Sequence, residues 1–192
     1  MLVLASSSPR RREILQQAGI PFAIRPVTID ETPLAAESPR AYVSRLAREK
    51  ARAAIAQPGE IILGADTTVV IQDEILAKPC DAADAIRMLM LLSGRKHEVL
   101  TGICLRGEDR MLEDIAETSV WFAPLTVQQI EEYVATGEPM DKAGAYGIQG
   151  RASKFVERIE GCYFNVMGLP VALVYRRLLE FRHAVGFAKN LV

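Results

Sequence analysis

The sequence predicts an α/β protein with a mixed central sheet flanked by helices. Short apolar runs alternate with helical segments that carry their own start and stop signals. One run, Glu60 to Gln72, has the β-branched bias of a central strand, and two later runs, Lys96 to Arg106 and Asp114 to Phe122, form an antiparallel pair. The length of 192 residues suits one domain over 1–192, or two lobes sharing a sheet.

The elements follow in order. Leu2-Val3-Leu4 is a short strand, and Ser8-Pro9 supplies an N-cap and a first helical residue for the helix after it. Phe22 to Pro26 reads as a second strand, and Thr28 to Pro33 as a polar loop carrying two carboxylates. Ser38-Pro39 opens a helix over Arg40 to Gln57, which Pro58-Gly59 stops. After the central strand come a short strand from Glu74 to Ala77 and a helix from Ala82 to Leu92 ended by Ser93-Gly94. The antiparallel pair and a helix over Thr126 to Thr136 follow. Gly137 to Gly150 is punctuated by glycine and reads as a shaped loop. Val156 to Phe164 is expected as strand, Leu169 to Phe181 as a closing helix, and the segment after Arg182 as a loosely held tail.

Composition narrows the function classes. The 23 basic and 24 acidic side chains leave a formal net charge of -1, which argues against a non-specific nucleic-acid surface but not against a small phosphorylated ligand. Cys80, Cys104 and Cys162 lie far apart, as in a reduced, cytoplasmic protein rather than a zinc site or a disulfide scaffold. His97 and His183 have no partners at metal-ligand spacing, so any metal is expected on carboxylates. The first residues have the wrong order and length for a signal peptide, and no run approaches a membrane span, so no membrane partner is expected.

The opening, Ser6-Ser7-Ser8-Pro9-Arg10-Arg11-Arg12, reads as an anion pocket at a helix start. Serines and arginines there are also common on solvated surfaces, and helix geometry separates the cases. Arg11 shares a face with Ile14, Leu15 and Ala18 and leans inward, whereas Arg12 points elsewhere. Positive charge at a helix N-terminus opposes the macrodipole, which an anion would relieve.

Lys50 falls within the apolar stripe of Val43, Leu46, Ala47 and Ala54. A snorkelling lysine and a site lysine both account for it. Asp66 interrupts the central strand, where an unpaired carboxylate is costly and needs a cation, donors or a chemical task. Gly64, two residues earlier, permits a bulge or the close approach of another element. With Glu31, Lys78, Arg11 and the serine loop, these charges suggest a metal-phosphate site in which Mg²⁺ is bound by Asp66 and Glu31 with phosphate oxygens and water. Asp66 instead orienting or deprotonating a water is the other role open to it. The P-loop and Rossmann fingerprints are absent. The glycines of 144–150 are explained by a structural turn, but Gln149 between them presents a donor and an acceptor suited to a base edge.

Six ordered blocks carry a family resemblance. They are Leu4-Ala5-Ser6-Ser7-Ser8-Pro9-Arg10-Arg11; Gly64-Ala65-Asp66-Thr67; Lys78-Pro79; Ser93-Gly94 with His97 and Thr101-Gly102; Asp141 to Gly150; and Asn165-Val166-Met167-Gly168-Leu169-Pro170. Over residues 2 to about 181 the chain resembles the Maf family of nucleoside triphosphate pyrophosphatases. Ile14, Cys162 and Met167 depart from the usual family residues and are expected to lie outside the site.

The resemblance implies two lobes with a cleft, an architecture related to the inosine triphosphate pyrophosphatases, and a homodimer. It implies hydrolysis of a nucleoside triphosphate between the α and β phosphates with a divalent cation, Mg²⁺ or Mn²⁺. By match of motif, Asp66 is the expected proton acceptor and Glu31, Lys50 and Lys78 are phosphate- or metal-site residues. Ser6 with Arg10 or Arg11 forms the expected phosphate cradle. Arg11, Thr67 and Gln149 resemble the combination of the branch acting on dTTP and UTP. The family's association with restrained cell division leaves a non-catalytic nucleotide-binding regulator as the alternative, and a purine enzyme of the inosine triphosphate type as a third.

Overall fold

The computed structural model describes residues 1–184; the expected loose tail lies, from residue 185, outside the described residues. The central strand organises everything else. β1 (Leu2–Leu4) leads through the serine loop into α1 (Pro9–Gln17), and β2 (Phe22–Ile24) returns to the sheet. α2 (Pro39–Ala53) then precedes the long β3 (Ile61–Ile71) and the short β4 (Glu74–Leu76). α3 (Ala82–Leu92) is followed by the long strands β5 (Lys96–Arg106) and β6 (Met111–Phe122), then α4 (Val127–Val134). Three 3-10 turns between Glu138 and Phe155 lead to β7 (Val156–Glu160), α5 (Tyr163–Met167) and α6 (Val171–Ala184).

The sheet order is β2-β1-β3-β5-β6-β7, with β4 also on β3. β1 pairs in parallel with β2 and β3, and the other pairings are antiparallel, so the sheet is mixed as expected. Along one edge of β3 the pairing is interrupted. β1 reaches only Leu63 and β4 begins at Val69, while β5 runs unbroken along the other edge from Ile62 to Val70. The sheet is therefore split beside residues 64–68, with a separate hydrophobic cluster on each side. One packs Leu2, Leu4, Leu63 and Ile103 under Ile14, Leu15 and α6; the other packs Val69, Leu76 and Val99 with α3, α4 and the 145–155 segment. The two clusters flank the uncovered edge of β3.

α2 crosses the opposite face unusually close to the sheet. A Cβ at Gly64 would come within 2.7 Å of the Ala51 amide nitrogen, and one at Gly102 within 2.6 Å of the Val43 carbonyl carbon. Gly102 is the register partner of Asp66 on β5. The expected close approach at Gly64 is thus that of α2, and it brings Lys50 against β3.

Several boundaries shift by one to three residues, and two differ more from expectation. α2 ends at Ala53, not Gln57, because the next residues are held by partners outside the helix: Arg106 donates to the Ala54 carbonyl, Arg25 to the Ile55 carbonyl, and the Gln57 amide donates to nearby Glu60 at 2.8 Å. The strand expected to reach Phe164 stops at Glu160, where Gly161 takes a φ of 129° and the chain turns into α5. Among the described residues no helix is long and apolar enough to cross a membrane.

Glu60 closes the base of this region. Its buried carboxylate accepts from Arg25 at 2.7 and 3.2 Å and from the Gln57 amide. The Arg25 hydrogen bonds, then the Gln57 amide, hold its pKa at about 2, below the ordinary 4.5. A carboxyl whose pKa falls on folding contributes stability above its unfolded value, and that stability is lost as pH drops through the folded value. Urea unfolding between about pH 4.5 and 2 is therefore expected to show a steeper stability loss in the wild type than in Glu60→Gln; equal slopes would assign the loss elsewhere.

Candidate active site

The split in the sheet opens into a cleft of about 310 Å³. Consecutive residues of a strand point to opposite faces, so Asp66 meets α2 while Thr67 meets α1 and α5. Both reach the cleft because no strand covers that edge of β3.

Asp66 is 7% exposed, and its Oδ1 accepts from Lys50 Nζ at 2.6 Å. The same ammonium reaches Glu31 Oε1 at 2.5 Å, and Lys78 stands 4.0 Å from the other Glu31 oxygen. Lys50 is therefore the hub of two carboxylates rather than a snorkelling side chain. Among the described residues no protein donor reaches Asp66 Oδ2, which leaves that oxygen free to accept a proton. Burial raises the Asp66 pKa more than Lys50 and Arg11 lower it, leaving it above the ordinary value. Burial also pushes Glu31 upward, but the Lys50 hydrogen bond and charge, with Lys78 and Arg11 beyond, reverse this and leave it below the ordinary range. Tyr42, on the buried face of α2, donates to the Glu31 carbonyl at 2.9 Å and fixes the loop that carries this carboxylate.

Arg11 has a second task that sequence alone did not suggest. It is 8% exposed, and its guanidinium donates to the carbonyls of Ala65 and Gly168, both at 2.8 Å, to Thr67 Oγ1 at 3.1 Å and to Ser6 Oγ at 3.3 Å. The Leu63 carbonyl, two residues back on the same edge of β3, accepts from the Ala5 amide at 2.9 Å. Beyond the end of β1 the Ala65 carbonyl has no strand to serve it, and Arg11 satisfies it instead. Thr67 is held further by Thr101 Oγ1 at 2.9 Å and by the Gly168 carbonyl at 3.2 Å.

The serine loop is ordered differently from expectation. Ser8 occupies the N-cap position of α1, but its side chain makes no cap hydrogen bond; its amide donates to Ser6 Oγ at 3.2 Å. Arg10 pairs with Asp141 at 3.0 Å, linking α1 to the 138–150 loop on the opposite wall. Arg12 is exposed, as its helix position predicts.

Ser6, Arg10, Arg11, Glu31, Lys50, Asp66, Thr67, Lys78 and Gln149 all line this one cleft. Gln149 is exposed at its rim and makes no protein hydrogen bond among the described residues. Met167, expected to lie outside the site, also lines it, because α5 returns the chain to the split. The sequence reading missed Tyr42 and Lys142. Tyr42 falls on the helical face of Leu46, where its burial was legible, whereas Lys142 lacked a local signal. His97 is fully buried and meets the Tyr146 hydroxyl at 2.8 Å; burial pushes its pKa down to about 3, so it is neutral.

Five basic side chains face three carboxylates across the cleft walls. A basic cleft built against one buried carboxylate defines an α/β protein suited to a polyanionic ligand. The chain belongs to the family of Maf-like proteins, whose profile matches residues 1–181. It is 53% identical over 185 residues to the dTTP/UTP pyrophosphatase of Symbiobacterium thermophilum, covering 96% of this chain and 95% of the relative. It is 51% identical to the dTTP/UTP pyrophosphatase of Koribacter versatilis, covering 92% of each. The fold is similar to that of the Staphylococcus aureus Ham1 protein, with a TM-score of 0.54 and 14% identity over 93% of this chain and 98% of the other. It is also similar to a HAM1 protein from Coxiella burnetii, with a TM-score of 0.53 and 16% identity over the same shares.

Proposed function

We propose that this protein hydrolyses dTTP and UTP to the monophosphate and pyrophosphate. The observation that carries the reading is identity of about half the residues, over nearly the whole length of both chains, to relatives that bear that name. The buried Asp66–Lys50 pair supports it with a chemical centre.

In this reading Asp66 is the proton acceptor. Its free Oδ2 takes the proton of the attacking water, and its raised pKa makes it a stronger base than an exposed aspartate. Lys50 holds the carboxylate in place through Oδ1. Ser6, Arg10 and Lys78 bind phosphate oxygens and offset the charge that develops on the leaving pyrophosphate. Arg11 contributes its charge from within the wall while holding Thr67. Gln149 reads the base edge with both ends of its amide.

The acidic groups also fit a divalent cation. Glu31 Oε1 and Asp66 Oδ1 converge on the Lys50 ammonium, so a cation would have to use the other oxygen of each carboxylate, and among the described residues no cluster of three or more His, Cys, Asp or Glu could hold an ion. A hard cation completed by phosphate oxygens and water needs no more than one or two carboxylates, so Glu31 would hold Mg²⁺ or Mn²⁺ together with the substrate, joined by Asp66 where Oδ2 serves as a ligand in place of accepting the proton. When bound, the ion neutralises phosphate charge and lowers the pKa of a bound water. We place the enzyme in the cytoplasm as a homodimer of one Maf-like domain, with no nucleic-acid or membrane partner.

The test is a panel of nucleoside triphosphates incubated with Mg²⁺ or Mn²⁺, with pyrophosphate and monophosphate measured. Release fastest from dTTP and UTP is expected. Gln149→Ala should reduce that preference about tenfold, in line with the loss of a specific hydrogen-bonding pair. Nucleotide binding without pyrophosphate release would overturn the reading in favour of a non-catalytic regulator. A uniform loss on every base in Gln149→Ala would remove the base-reading role.

A further inference from the structure

Gln149 sits on a turn from Gly147 to Gly150, closed by the Gly150 amide donating to the Gly147 carbonyl at 3.0 Å. Its two central residues go opposite ways. Ile148 is buried in the hydrophobic cluster around Val69, Leu76 and Val99, and Gln149 is exposed at the cleft. A turn that rocked about its ends would present no fixed donor and acceptor to a base. Selectivity by this amide therefore requires the ends to be held.

Each end is held by a side chain from the preceding stretch, Glu138 in the first 3-10 turn and Lys142 just after it. At Gly150, the Glu138 carboxylate packs directly on the backbone, where an added Cβ would stand 2.7 Å from the carboxyl carbon. From there its two oxygens accept from the Arg151 amide at 3.0 and 3.1 Å, and Oε1 also accepts from the Tyr133 hydroxyl of α4 at 3.0 Å. At Gly147, the Lys142 stem lies across the backbone, with an added Cβ 2.8 Å from Cε. The Lys142 ammonium turns back to the Glu138 carbonyl at 2.6 Å. Glu138 is itself anchored, with its amide donating to Thr136 Oγ1 at 3.2 Å and Gly137 before it at a φ of 74°.

We propose that Glu138 is a positioning residue for base selection: its carboxylate fixes the Arg151 amide, and with it the turn that presents Gln149 to the nucleotide. The proposal rests on the pyrimidine-nucleotide reading, since only then has Gln149 a base to choose. A carboxylate that merely stabilised the loop would leave selectivity alone. The Arg151 amide lies at an exposed position, where water replaces a lost acceptor. The Tyr133 hydroxyl, on a buried side chain, also loses its acceptor in Glu138→Ala, and Glu138→Gln, which restores an acceptor for both, separates the turn from the fold.

The experiment compares wild type, Glu138→Ala and Glu138→Gln for kcat/KM on dTTP, UTP, CTP, dATP and GTP, together with amide hydrogen exchange at Gly150 and Arg151. In Glu138→Ala the preference for dTTP and UTP over the other nucleotides should fall about tenfold, the size of one charge-assisted hydrogen bond. Exchange protection at Arg151 should be lost with it. Glu138→Gln, whose amide oxygen still accepts the Arg151 N–H, should recover most of both. A selective wild type whose preference survives in Glu138→Ala, or whose activity falls equally on every nucleotide, overturns the role of Glu138 alone. A wild type with no preference for dTTP and UTP overturns the underlying reading and this role with it.

Discussion

Replacing Asp66 by Asn is expected to lower pyrophosphate release about a thousandfold or more, within the range for loss of a positioned general base, without lowering the melting temperature. The substitution keeps the shape of the side chain and an oxygen for Lys50 at the Oδ1 position, and removes only the capacity to take a proton. Stability follows from the direction of the pKa shift. Burial raises the Asp66 pKa on folding against the pull of Lys50 and Arg11, so the native state holds the proton more tightly than the unfolded chain. That contribution is complete below the ordinary value of 3.8 and is lost as pH rises through the raised folded value, so once ionised the carboxylate is a net cost. The neutral isostere removes that cost, and Lys50 still pairs with Glu31 at 2.5 Å. Pyrophosphate assay and scanning calorimetry on the same samples check both halves. Near-wild-type turnover would end the assignment of Asp66 as proton acceptor, and a melting temperature several degrees lower would make it a structural residue.

Arg11→Lys is expected to damage stability as well as activity. The guanidinium serves two backbone carbonyls, Thr67 and Ser6 from one planar fork, and an ammonium on a shorter, single-point head cannot serve them together. The Ala65 carbonyl has no other partner at the split. Leaving such groups buried and unpaired costs about 3 kcal/mol in sum, or roughly 6–12 °C in melting temperature for a domain of this size. Catalytic efficiency should fall too, because Thr67 and the Gly168 carbonyl lose their common anchor. Thermal unfolding decides the point: an unchanged melting temperature with a raised KM would show that Arg11 serves only the phosphates.

The parts of the fold with local causes were legible in the chain. α3 and β5 have the boundaries that hydrophobic periodicity and the Ser93-Gly94 stop predict, and the Thr126 cap begins α4 through a full capping box. The errors fall where groups outside the element overrule local preference. Ala54 to Gln57 has helical composition but is pulled out by Arg106, Arg25 and Glu60. Tyr163 and Phe164 have strand propensity, yet they sit in α5 because Gly161 turns the chain back toward the cleft. The inward lean of Arg11 was readable from helix spacing; its partners Ala65, Thr67 and Gly168, 54 to 157 residues away, were not.

The sequence by itself placed three of the buried charges and missed a fourth, Glu60. An aspartate within a β-branched run, a lysine within an apolar helical stripe and an arginine on the inner face of a first helix are each placed by periodicity, which is a local property. What they do there was decided only in three dimensions. β1 and β4 pair with different parts of the same edge of β3 and leave residues 64–68 uncovered, and no local pattern records how far two strands fall short of each other. That gap creates the cleft, leaves the Ala65 carbonyl for Arg11, and exposes Asp66 to a ligand from within the core.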